Sequence, residues 1–213
     1  MRELINNCIV EDNIVVGFYD EFEEDLIIPD GVIAIWDNAF AKYYGLKTVK
    51  FPNTLQEIGV KAFENCSNLR KVVLPESVIN LKKGYFGNTF SECKQLVEAD
   101  LSKTQIQVLY GGTFWNCKKL QMVKLPQTLI KIEQDAFWSC INLTAIEFNE
   151  GLKVIECDFK AQKHMSILNI PKSVIHIEDL SGNENINTVV LSRSQYEVFK
   201  EYLPPHSKII FKE

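Results

Sequence analysis

The sequence predicts an α/β, β-rich solenoid. The expected architecture is a right-handed coil of stacked repeats with a curved parallel β-sheet, short second strands and helical turns. An N-terminal hairpin cap and a C-terminal helix-strand cap close it. Three observations predict this. A motif recurs with a period near 23 residues, which is the signature of a repeat architecture. Each copy holds one short alternating apolar segment that cannot bury its face alone, so copies must stack about 5 Å apart to make a core. Length variation gathers in one arc of the repeat, while the strand positions keep register.

The reference copy is LQMVKLPQTLIKIEQDAFWSCINL, residues 120–143. Its marker positions are Leu120, Val123, Leu125-Pro126, Ile132, Phe137 and Cys140, and the next copy begins at Leu143. The last apolar position of the strand recurs at Phe51, Leu74, Leu101, Leu125, Phe148, Ile170 and Leu191, after an incomplete first copy ending at Ile28. Apolar alternation through the segment marks a half-buried strand. Proline follows at Pro29, Pro52, Pro75, Pro126 and Pro171 and stops the strand, because it cannot donate to a ladder. Seven residues beyond the strand comes a second apolar position: Ile35, Ile58, Leu81, Val108, Ile132, Ile155 and Ile177. A phenylalanine then recurs at Phe40, Phe63, Phe90, Phe114, Phe137 and Phe159, with Leu180 in the seventh slot. The spacing into that phenylalanine is five residues from Ile58, nine from Leu81 and four from Ile155. Insertions therefore fall in this arc.

The segments FPNTLQEIGVKAFENCSNL (51–69) and LPQTLIKIEQDAFWSCINL (125–143) resemble the BspA-like leucine-rich repeats in their strand-Pro, Ala-Phe and Cys elements. The resemblance spans roughly residues 26–191, and the opening INNCIVEDNIVVGFYDEFEEDLIIPDGV is similar to that family's opening hairpin. It implies a leucine-rich-repeat solenoid that works by binding, and in many members a surface or secreted location. The chain departs from the pattern where proline is missing after Leu101, Phe148 and Leu191, and in the eroded copies after Phe159.

The ends are expected to be caps on one domain. Cys8-Ile9-Val10 and Ile14-Val15-Val16 flank a turn at Glu11-Asp12-Asn13, a hairpin able to cover the first rung. Residues 1–28 thus form the cap and first rung, 29–191 the repeats and 192–213 the C-terminal cap. There Ser194 and Glu197 have capping-box spacing before Tyr196, Phe199 and Leu203; Pro204-Pro205 ends the helix and residues 208–211 supply a last strand.

Composition bounds the function. Residues 1–30 carry nine acids and one base, and the remainder has a net charge of +3, too weak a basic balance for a dedicated nucleic-acid binder. No apolar run reaches membrane-spanning length. MRELINNCIV lacks the layout of a signal peptide, so a cytoplasmic location is expected on the sequence as given, and a cell-surface or secreted one if an upstream signal was removed. The acidic run DEFEED (20–25) lacks the alternating ligands and glycine of a calcium loop.

Chemistry finds little support. Cys66, Cys93, Cys117 and Cys140 each stand three residues after the rung phenylalanine, where Tyr43, Gln162 and Asn183 stand in other rungs. That makes them a repeat position and not a metal site; a buried, reduced thiol ladder is expected. Cys8 and Cys157 are expected as partly buried free thiols. Cys157 with His164 is the one conceivable nucleophile and base, with no glycine-rich oxyanion loop nearby. No catalytic residue, metal or cofactor is expected.

Three surfaces are candidates for protein binding. Side chains on consecutive strands project away from the core and include Lys50, Lys71, Glu98, Asp100, Met122 and Lys124, as either a recognition strip or a ladder of mutually satisfied charges. Trp115 and Trp138 occupy a slot that is small or polar elsewhere, so they are expected exposed, as an adhesive patch or a mutually packed pair. The insertion KKGYFG (82–87) brings Tyr85 and Phe86 between two glycines, with Phe86 expected buried and Tyr85 exposed. The expected function is a non-catalytic protein–protein interaction scaffold, monomeric, with another protein as partner. The alternative is a fragment of a bacterial adhesin for host extracellular-matrix protein.

Overall fold

The computed structural model describes residues 2–20, 23–84 and 88–213. Tyr85 and Phe86 lie outside the described residues. The chain winds into a β-solenoid of about eight turns with two parallel ladders. The first ladder follows the strands expected from the alternating motif: β4 (Asp25–Ile27), β6 (Thr48–Lys50), β8 (Lys71–Val73), β10 (Glu98–Asp100), β12 (Met122–Lys124), β14 (Ala145–Glu147), β16 (Ile167–Asn169), β18 (Thr188–Leu191) and β19 (Lys208–Phe211). The second is built from two-residue strands: β5 (Ala34–Ile35), β7 (Glu57–Ile58), β9 (Asn80–Leu81), β11 (Val108–Leu109), β13 (Lys131–Ile132), β15 (Val154–Ile155) and β17 (His176–Ile177). Each second-ladder strand with the first-ladder strand before it makes one rung, and β18 and β19 extend the first ladder beyond the seventh.

Three strands precede the rungs: β1 (Arg2–Ile5), β2 (Cys8–Glu11) and β3 (Ile14–Phe18). The expected hairpin is β2–β3, and its turn residues Asp12 and Asn13 take the left-handed backbone (φ 50° and 63°) that tight hairpins need. The cap is larger than the hairpin alone. A second such turn at Asn6 and Asn7 adds β1, whose four residues are all exposed. β3 then pairs parallel with β5, so the cap continues the second ladder.

Proline sets the turn after each first-ladder strand. The N–H groups of Val32, Leu55, Val78, Leu129 and Val174 each donate to the proline carbonyl three residues back, at 3.1 to 3.3 Å. Two of the turns without proline are tied to the previous rung by an amide side chain. Asn149 Nδ2 donates to the Pro126 and Leu129 carbonyls (2.9 and 3.1 Å), and Gln195 Nε2 to those of Pro171 and Val174 (2.7 and 3.0 Å).

The third such turn corrects the expected register. Leu109, not Val108, is the buried member of the fourth rung, and it pairs with Ile132 while Val108 pairs with Lys131. An extra residue therefore sits between Leu101 and the second strand. Asp100 Oδ1 accepts from the Ser102 amide and hydroxyl (3.0 and 2.6 Å), and Thr104 N–H reaches back to the Leu101 carbonyl. Without proline to fix the turn, this acidic turn holds one residue more. Length variation is thus not confined to the arc before the phenylalanine.

That arc consists of hydrogen-bonded turns, and the one α-helix among the described residues lies in the C-terminal cap. Left-handed residues recur four apart, at Asn38 and Lys42, Lys61 and Asn65, Gly112 and Asn116, and Asp135 and Ser139, which breaks any helix. Inside it runs the aromatic stack. Phe40, Phe63, Phe90, Phe114 and Phe137 lie with ring centroids 5.1 to 5.9 Å apart and interplanar angles of 2° to 18°. Phe18 of the cap extends it. All five rung rings are buried. Each contributes burial of about 1.5–3 kcal/mol, and each contact about 0.5–1.5 kcal/mol more.

The C-terminal cap is α1 (Arg193–Phe199), a 3-10 turn at Lys200–Tyr202 and β19, which pairs parallel with β18. Its capping box lies two residues earlier than expected: Ser192 is the N-cap and Gln195 the reciprocal partner, not Ser194 and Glu197. Both pairs have the required spacing. Ser192 wins because it directly follows β18, and Gln195 is buried against the previous rung.

Both ladders are interrupted. The first divides between β6 and β8 and between β14 and β16; the second divides between β9 and β11. The two first-ladder interruptions each follow a rung that ends in phenylalanine, Phe51 or Phe148, where Leu or Ile stands in the others. A phenyl ring is wider than the strand spacing of about 4.8 Å. Phe51 turns its edge to Phe63 (84°) and Phe148 tilts against Phe159 (49°), and the strand that follows each is displaced from hydrogen-bonding register.

Candidate interaction surface

The first ladder brings six of the sequence-selected residues onto one face. Lys71 and Met122 flank Glu98 in register, and Lys124 pairs with Asp100. Lys50 lies on β6, across the first interruption. Alternation buries Val72, Ala99 and Val123 and turns these residues outward. Their charges are largely spent on one another. Lys71 Nζ lies 2.9 Å from Glu98 Oε2, and Lys124 Nζ lies 3.3 Å from Asp100 Oδ2 and 3.7 Å from Glu98 Oε1. Burial pushes the Asp100 carboxyl up, but Ser102 and Lys124 outweigh it and hold the group below the usual range. The hydrogen bond that Lys124 donates to Asp100 pushes the pKa of the Lys124 ammonium up. Beside these pairs the face exposes Lys50 and Glu147 and three apolar side chains, Val73, Met122 and Ile167, at 47, 50 and 58%.

The interruption at Phe51 opens a cleft that sequence reasoning missed. It has a volume of about 1010 Å³, and Lys50, Phe51, Val73, Leu74, Ile79 and Lys103 are among its walls. Phenylalanine in a leucine slot, followed two rungs later by a longer turn, was the available signal.

Trp115 and Trp138 stand apart from the strip, beside the phenylalanine stack. They are stacked on each other at 5.2 Å and 11°. Trp138 is exposed as expected, but Trp115 is half-buried, because Trp138 covers it.

The thiol slot is a ladder. Cys66, Cys93, Cys117 and Cys140 are buried and free, and each Sγ donates to a phenylalanine carbonyl one rung earlier, at 3.0 to 3.2 Å. Gln162 occupies the same slot and its Nε2 donates to the Phe137 carbonyl. Cys8 and Cys157 are buried too, not half-exposed, since the cap and the shortened sixth arc close over them. Burial pushes the Cys157 thiol well above its ordinary value, the opposite of an activated nucleophile, and His164 is exposed. Among the described residues no group of three or more His, Cys, Asp or Glu could hold a metal ion, and no helix is long and apolar enough to cross a membrane.

Stacked two-ladder rungs with a buried Leu, Phe and Cys per turn define a leucine-rich-repeat protein. The chain belongs to the BspA type leucine rich repeat region family, which it matches in six copies over residues 16–89 and 87–189. Solved leucine-rich repeat proteins share the fold. One from Bacteroides ovatus is 22% identical with a TM-score of 0.66, over 89% of this chain and 54% of that one. One from Eubacterium ventriosum is 19% identical with a TM-score of 0.74, over 85% and 49%. The T. pallidum protein TpLRR is 19% identical with a TM-score of 0.65, over 89% and 83%. The chain thus spans about half the length of the first two. No curated protein matches it.

Proposed function

We propose that this chain is a non-catalytic protein–protein interaction scaffold whose partner lies across the exposed face of the first ladder. The observation that carries the reading is that Val73, Met122 and Ile167, on three parallel strands of one face, are solvent-facing among ion pairs that are already closed. Apolar side chains fixed on a rigid sheet lose little entropy on binding, and Lys50 on β6 adds charge steering. The chain acts as a monomer in this reading. A cell-surface or secreted location, implied by the family resemblance, belongs to the same proposal; protease shaving of intact cells tests it.

The experiment is a paired capture. Immobilised wild type is compared with Lys50→Glu/Met122→Asp/Ile167→Asp, whose fold is checked by thermal unfolding. A protein retained by the first and lost by the second supports the reading. If every captured protein binds both equally, the face is only a solvated surface.

A further inference from the structure

The arc from the second ladder to the phenylalanine stack has one length in the second, fourth and fifth rungs, so its slots compare directly. Two adjacent slots hold Val60-Lys61, Gly111-Gly112 and Gln134-Asp135 in those rungs. Lys61, Gly112 and Asp135 share the left-handed backbone, at φ 58°, 76° and 60°. Residues with side chains adopt this conformation in two of the three rungs, so backbone geometry alone does not demand Gly112. What the glycine pair changes is space. A Cβ at Gly111 would lie 2.6 Å from the Gln134 carbonyl oxygen, so the fifth-rung turn closes onto bare backbone.

Beside this close contact lies a cavity of about 550 Å³ with Gly111 and Gly112 in its lining. That lies within the range of about 300–1,000 Å³ typical of small-molecule sites. Lys61 and Glu64 border it from the second rung, and Gln134 and Asp135 from the fifth. Trp115 is one wall, while Trp138 does not reach the cavity but stacks on Trp115 from behind. In the slot of the two tryptophans, the two preceding rungs hold Ser91 and Glu64, so no ring in that slot covers the other face of the indole. Trp115 is therefore a flat plate, fixed before any ligand arrives.

The charges narrow the ligand class. Lys61 is paired with Glu64 at 3.1 Å, and Lys83 at the rim with Glu133 at 2.8 Å. Asp135 has no ion pair among the described residues, which leaves the site with a net negative charge. Anionic ligands are disfavoured. An indole plate beside a carboxylate and a planar amide suits a pyranose ring. Its C–H face packs on the plate, while its hydroxyl groups donate to Asp135 and exchange hydrogen bonds with Gln134. We infer that this cavity binds a neutral sugar, one pyranose unit of a glycan stacking on Trp115.

The test uses the full chain and a panel of neutral hexasaccharides representing β-glucan, α-glucan, β-mannan and chitin, with choline as the competing aromatic-site ligand. Titration calorimetry reads affinity, and saturation-transfer NMR reads which ring protons touch the protein. At least one oligosaccharide is expected to bind, with transfer strongest to ring C–H protons. Trp115→Ala should weaken it at least about tenfold, while Trp36→Ala, an exposed tryptophan elsewhere, should leave it unchanged. Gly112→Lys restores the residue type that Lys61 shows the slot accepts, so it fills the cavity without demanding a new backbone. It should abolish binding with the unfolding midpoint preserved. Binding of choline in preference to every sugar, no binding of any panel member at millimolar concentration, or binding that survives both Trp115→Ala and Gly112→Lys would each overturn the inference.

Discussion

The sulfur of Cys140 lies 3.0 Å from the carbonyl oxygen of Phe114, one rung earlier. The phenylalanine carbonyl of such an arc already accepts from its own rung's thiol-slot N–H, as Phe114 does from Cys117, so it takes two donors. The thiols are thus polar ties between rungs as well as core filler. A hydroxyl sits on a shorter bond than a thiol and falls back from that oxygen. Cys140→Ser is expected to cost about 1–3 kcal/mol, the range for a buried polar group left poorly bonded. Urea denaturation measures it, and a neutral result would mean the thiol bond adds nothing.

The same burial predicts an alkaline limit. It pushes the Cys66 and Cys140 thiols from the ordinary 9.0 up to about 12. Below pH 9 both folded and unfolded chains hold these thiols neutral. Between about 9 and 12 the unfolded chain releases protons that the fold retains, so stability falls as pH rises. Each group contributes up to about 1.4 kcal/mol per pH unit in that window. The urea midpoint should stay flat below pH 9 and drop steadily above it. Native thiols should also alkylate slowly until that drop begins.

Phe137 ends the regular aromatic stack on Phe114. Phe137→Ala removes a buried ring and leaves a cavity, with an expected cost of about 3–5 kcal/mol. A loss below about 1 kcal/mol would show that the neighbouring rungs collapse into the space.

The register of the fourth rung separates two adjacent residues. Leu109 is buried and Val108 is not. Leu109→Ala should cost about 2–5 kcal/mol and Val108→Ala much less. The reverse order would restore the regular seven-residue spacing.

At the C-terminal cap, Ser192→Ala should cost about 0.5–2 kcal/mol, whereas Ser194→Ala should be near neutral. Gln195→Ala should cost more than either, since it also removes the amide donor to the Pro171 and Val174 carbonyls. Thermal unfolding of the three variants ranks them.

The regular parts of this fold were legible because each marker has one physical reason to recur. Pro126 stops a strand, Phe137 fills the arc and Cys140 bridges to the rung before, so the repeat could be placed without coordinates. Errors arose where two neighbours met the same criterion. Val108 and Leu109 are both apolar, and the missing proline at Ser102 removed the punctuation that would have separated them. Ser192 and Ser194 both precede a suitable partner by three residues. β1 was overlooked because an exposed edge strand has no buried face to set its alternation. The strip residues were placed on one face correctly, but their ion pairing depends on rotamers. The cavity beside Trp115 depends on residues three rungs apart, although the Gly111-Gly112 pair in an otherwise side-chain-bearing slot was a readable signal.

The interruptions of the two ladders never fall at the same junction. Where β6 and β8 part, β7 and β9 remain bonded; where β9 and β11 part, β8 and β10 hold; where β14 and β16 part, β15 and β17 hold. The seams are staggered like joints in a course of bricks. A pull along the solenoid axis meets at least one intact hydrogen-bonded ladder at each of these crossings, and the core stack runs beneath the first two of them. The phenylalanines that loosen one side therefore give the rod places to flex without giving it a plane along which to break.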